Sequence, residues 1–88
     1  MKIFFEKYKD RYRPLSDEAG FFTSFPQFVS DRKTVCKLND TIEDLFASVT
    51  IDIRLRSAAD NLFTAYYTFN DVADEAAFLL WASDGIEI

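Results

Sequence analysis

From Val49 the chain alternates, with Val49, Ile51, Ile53 and Leu55 separated by Thr50, Asp52, Arg54 and Arg56. A period of two puts the apolar set on one face of a strand and the polar set on the other, so this segment predicts a half-buried β-strand with one face in the core and the other in water. Leu62 to Phe69 is rich in aromatic residues and threonine, and Ser57-Ala58-Ala59-Asp60-Asn61 can turn the chain between the two. Residues 49–69 therefore predict an antiparallel hairpin. The period then changes. Asp71 is placed to cap a helix with Asp74 at its third position, and Gly85 to stop it, which predicts a helix from Val72 to Asp84. On a helical wheel Leu79, Val72, Ala76, Leu80, Ala73 and Ala77 share one broad arc that can cover the apolar face of the sheet. Phe78 falls on the back between Asp74 and Glu75, and Trp81 borders the arc. Ile86 to Ile88 can add a short terminal strand.

The first half is less regular. Residues 2–8 are β-rich and predict a strand with Ile3 and Phe5 on one side and Phe4 on the other. The basic run Lys7 to Arg13 ends at Pro14, and Ser16 to Gly20 reads as a turn or loop. Phe21 to Val29 is an aromatic stretch that Pro26 keeps off any central strand position, so irregular or edge structure is expected there. Thr34 to Leu38 predicts a short strand, and Asn39-Asp40-Thr41 carries N-cap chemistry for a short helix near residues 41–47. The sum is a single α+β domain over residues 1–88. It comprises a small antiparallel sheet of three to five strands, a C-terminal helix packed on one face, and a second short helix.

Composition narrows the chemistry. The chain has 88 residues, 49% hydrophobic and 17% aromatic, with ten phenylalanines. That is more large apolar side chain than one small core readily hides, which points to a homodimer or a partner surface. There is no histidine, one cysteine and two glycines, which excludes His-based triads, His-rich zinc sites, disulfide scaffolds and the usual glycine-rich phosphate loops. No cofactor and no metal site is expected. The longest charge-free stretch, Ala19 to Ser30, is too short for a membrane helix. The N-terminus lacks the apolar centre of a signal peptide, so the expectation is a cytoplasmic protein without a membrane role. Net charge is −5, divided into +3 over residues 1–37 and −8 over residues 38–88 by counting Lys/Arg against Asp/Glu in each part. One basic and one acidic surface follow.

Four groups of residues carry candidate function. Phe21, Phe22, Phe25 and Phe28 surround Pro26 and serve either as a core plug or, with Phe78 and Trp81, as an aromatic partner-binding patch. Asp71, Asp74 and Glu75 form an acidic partner-binding face, although capping and solvation explain the same residues. Lys7, Tyr8, Lys9, Arg11, Tyr12 and Arg13 supply cations for phosphate and rings for stacking, as a single-strand nucleic-acid binder needs, and they equally describe a charged edge strand. The acidic residues from Asp40 to Glu87 could instead mimic nucleic acid. Cys36, with Thr34 and Leu38 on one strand face, has no histidine to activate it and reads as a buried small apolar residue. No paired carboxylates span an evident cleft, and an enzyme is not expected.

The stretch Tyr66-Tyr67-Thr68-Phe69-Asn70-Asp71-Val72-Ala73-Asp74-Glu75-Ala76-Ala77-Phe78-Leu79-Leu80 resembles the strand, acidic turn and helix that end many small accessory proteins of large tailed phages, the T-even group especially. The resemblance lies in the C-terminal third. It implies a host-takeover or counter-defence protein that binds and occludes a host defence or regulatory protein, and it transfers no site residues. A small nucleic-acid-binding protein is the alternative, and an acidic nucleic-acid mimic a further one.

Overall fold

A computed structural model describes residues 2–3, 5–8, 11–13 and 25–87. The chain order is β1 (Lys2–Ile3), β2 (Glu6–Tyr8), β3 (Arg11–Arg13), β4 (Gln27–Ser30), α1 (Arg32–Leu45), β5 (Val49–Ser57), β6 (Leu62–Phe69), α2 (Val72–Ser83) and β7 (Ile86–Glu87). This is an α+β fold. Its centre is a three-stranded antiparallel sheet in the order β4-β6-β5, with β1 paired to β7 and β2 to β3 in two further antiparallel ladders.

The hairpin forms as its alternation dictates, Val49 lying opposite Phe69 and Leu55 opposite Phe63. Asn61, with φ of 52°, takes the left-handed turn conformation that asparagine tolerates. β4 is an edge strand directly after Pro26, as expected from that proline. Asp71 caps α2 by accepting from the Ala73 N–H at 2.9 Å, and Gly85 ends it at φ of 87°.

Two elements differ from the expectation. The segment expected as a strand at 34–38 and a helix at 41–47 is one continuous helix, α1, over Arg32–Leu45. Asp31, not Asn39 or Asp40, is its cap, accepting from the Thr34 N–H at 3.0 Å and from the Thr34 hydroxyl at 2.7 Å. Val35, Leu38, Asn39 and Ile42 are its buried residues, and their spacing of three, four and seven is the signature of one helical face. Cys36 is consequently half-buried on a helix and does not share a strand face with Thr34 and Leu38. The N-terminal strand expected over residues 2–8 is two short strands flanking Phe5, the second turning back as β3.

The core lies between the helices and one sheet face. Phe5, Phe28, Val35, Leu38, Ile42, Phe46, Ala65, Tyr67, Phe78, Ala82 and Ile86 are buried. Phe78 is its hub, with ring centroids 5.0 Å from Phe69, 5.2 Å from Phe5 and 5.7 Å from Phe46. α2 is thus turned differently from the wheel expectation. It buries Phe78 and Ala82 and leaves Val72, Ala73, Ala76, Ala77 and Leu80 exposed. One phenylalanine ring removes far more apolar area from water than an alanine methyl, so the helix rotates to bury Phe78 at the expense of its alanines.

Candidate functional site

Three surfaces carry the chemistry that the described residues offer. The first is the outer face of α2. Val72 is 81% exposed and Leu80 76% exposed, and Ala73, Ala76 and Ala77 lie exposed between them. Their spacing of three and four aligns them into an apolar stripe roughly 12 Å long at the helical rise per residue. Asp71 at the cap and Asp84 after the last turn, both exposed, stand at its two ends.

The acidic residues beside it have structural work. Asp71 caps the helix. Asp74 accepts from the Ser48 backbone N–H at 3.1 Å, tying the first turn of α2 to the chain entering β5. Asp74 and Glu75 are half-buried because they share the side of the helix that carries Phe78. The three acids expected as a partner-binding face therefore do not act as one: only Asp71 is exposed.

The aromatic patch is divided in the same way. Phe28 and Phe78 are core residues, unavailable to a partner, because the sheet register turns Phe28 inward beside Ala65 and α2 points Phe78 into the ring cluster. Trp81 is half-buried, its ring 5.6 Å from Phe46 and 6.1 Å from Phe78. Phe25 is exposed and borders the second surface, a groove of about 320 Å³ on the outer sheet face lined also by Asp52, Arg54, Tyr66 and Thr68. There the Arg54 guanidinium lies 5.4 Å from the Tyr66 ring centroid and bonds the Asp52 carboxylate, Nε at 2.9 Å and Nη2 at 2.8 Å. Phe21 and Phe22 lie outside the described residues.

The third surface is β5. Its alternation holds, but the core covers only half of its apolar face: Val49 and Ile51 are half-buried, while Ile53 is 46% and Leu55 59% exposed.

The basic run falls on the β2–β3 ladder, whose backbone register sets Glu6 opposite Arg13, Lys7 opposite Tyr12 and Tyr8 opposite Arg11. Lys9 lies outside the described residues, as do the side chains of Lys7, Tyr8, Arg11, Tyr12 and Arg13. Among the described residues no three His, Cys, Asp or Glu side chains are grouped to hold a metal ion, and no helix is long and apolar enough to cross a membrane.

A wheel reading misses the α2 stripe because its residues are apolar and so group with the core. The signal that could have found it is side-chain size, since the arc holding Phe78 and Trp81 outweighs an arc containing three alanines. No protein-family model, no curated protein and no solved structure matches the chain.

Proposed function

We propose that the chain is a non-enzymatic protein–protein interaction module that docks the outer stripe of α2 onto a partner protein. The observation that carries this reading is the exposure of Val72 and Leu80 with alanines between them. A contiguous apolar helix face in water is unfavourable unless something covers it, and small residues between two larger ones let a partner approach the backbone closely. Acids at both ends of the stripe favour a partner groove with a basic rim, which would set orientation and encounter rate more than affinity. At the finer level implied by the resemblance of residues 66–80, the partner is a host defence or regulatory protein and the mode of action is occlusion of its surface.

The test is affinity capture with the tagged chain from host lysate, divided into nuclease-treated and untreated halves, using the wild type and the double variant Val72→Lys/Leu80→Lys. The reading expects one near-stoichiometric protein that survives nuclease and is lost with the variant, while the far-UV circular dichroism of the variant is unchanged. Retention of that protein by the variant would remove α2 from the interface. Recovery of nucleic acid, with all proteins lost on nuclease treatment, would move the function to the basic β2–β3 segment.

A further inference from the structure

We infer that β5 pairs with the β5 strand of a second copy of this chain, joining two sheets edge to edge about a two-fold axis at Ile53. β6 holds the middle of the sheet and β5 one side, and among the described residues β5 pairs with β6 alone. The register is unbroken from Val49 to Leu55, with its irregularity between Leu55 and Ser57. The Asn70 N–H donates to the Ser48 carbonyl at 3.4 Å, so the even-numbered residues of β5 turn their backbone groups toward β6. The N–H and C=O of Ile51, Ile53 and Leu55 therefore point to the outer edge, where they can bond another strand. Natural edge strands are commonly protected by proline, lysine or a bulge. Val49–Leu55 has neither proline nor lysine and its irregularity lies beyond Leu55; its two charges, Asp52 and Arg54, are of opposite sign and so self-complementary, and Ile53 and Leu55 are exposed beside them.

The occupant follows from self-complementarity. With the axis at Ile53, antiparallel pairing sets Ile53 against its own copy and Leu55 against the half-buried Ile51, all on the helix-bearing face, so each of the two exposed apolar residues of the strand meets an apolar residue of the second copy. On the opposite face, Asp52 meets Arg54 of the second copy and Arg54 meets its Asp52. These are non-hydrogen-bonded pairs, the type whose side chains approach more closely. Asp52 and Arg54 already touch within one chain at 2.8 Å, so the four charges alternate around the axis. Neighbouring registers are worse. An axis at Asp52 sets Asp52 against its own copy, and an axis at Arg54 does the same for Arg54, in each case placing like charges directly opposite. The assembly does not depend on the α2 stripe, and it would present two stripes and two Tyr66 grooves from one continuous sheet.

Sedimentation equilibrium of the full chain tests this. The wild type is expected to be a dimer in reversible equilibrium with monomer. Asp52→Arg and Arg54→Asp alone each place like charges across the axis and should weaken dimerisation by more than about tenfold. Their equimolar mixture restores opposite charges at both sites and should form a heterodimer at least as readily as the wild type pairs with itself. Ile53→Pro removes an N–H used only across the edge, so it should give a monomer with unchanged far-UV circular dichroism. A wild type that is monomeric up to its solubility limit overturns the inference. So does a dimer that survives both charge variants, or a mixture that associates no better than its components.

Discussion

Tyr67 and Asn39 form a buried polar contact in the core, the phenol donating to Asn39 Oδ1 at 2.7 Å. Burial pushes the Tyr67 phenol above its ordinary value. The sign follows directly. A phenol that ionises less readily folded than unfolded contributes fully below the unfolded value of about 10, and that contribution is lost as pH rises beyond it. The unfolding midpoint should therefore fall in alkali, and Tyr67→Phe should flatten that fall, as read from denaturant melts across the range. The same substitution leaves Asn39 Oδ1 buried without its donor and should cost about 1–3 kcal/mol. Asn39 Nδ2 is itself buried with no partner among the described residues, so adding Asn39→Leu should recover part of the loss. Asp31 behaves oppositely. The Thr34 backbone N–H, then its hydroxyl, hold the Asp31 carboxyl below the usual range. That stability is present above the ordinary carboxylate value of about 4 and is lost as pH falls through the folded value. Asp31→Asn keeps a capping oxygen and should reduce the slope of acid unfolding.

Among the elements, α1 has its charges reversed relative to its dipole. Arg32 and Lys33 open it, and Glu43 and Asp44 lie in its last turns. Acids mark a helix start and bases a helix end, so Asp40, Glu43 and Asp44 read in sequence as the opening of a helix that in fact closes there. The apolar spacing of Val35, Leu38 and Ile42 contradicts the charges and prevails, because burying those side chains outweighs surface dipole effects of a few tenths to one kcal/mol each. Asp44→Lys should accordingly stabilise the protein by about 0.3–1 kcal/mol in a denaturant melt. α2 provides the complementary prediction. Phe78→Ala empties the centre of the ring cluster and should cost about 3–5 kcal/mol, whereas Leu80→Lys, on the open side, should stay within about 0.5 kcal/mol. A wheel drawn on hydrophobicity alone expects the opposite order.

For the whole molecule, net charge is −5, with the acidic excess in residues 38–88. Docking through an apolar stripe should change little with salt. Binding to phosphates through Lys7, Lys9, Arg11 and Arg13 would weaken steeply as salt rises, and acidic mimicry would also weaken with salt while ignoring substitutions at those cations. Titration calorimetry of the captured partner at low and high salt separates the three, and a nearly flat response is expected. The α+β class, the β5–β6 hairpin, the capped C-terminal helix with its Gly85 stop, and the exclusion of the segment around Pro26 from a central strand position were legible along the chain. Each is dictated by residues within a few positions of one another: an alternation, a cap, a proline, a glycine. The span of α1, the side of α2 that faces inward, the burial of Phe28 and Phe78 and the exposure of Ile53 and Leu55 depend instead on which surfaces remain for a side chain to meet. Amphipathic patterning says that one face is buried but not how much partner surface is available to cover it, and only the tertiary packing decides that. Among the described residues, the stripe on α2 and the outer edge of β5 are where the available surface ends.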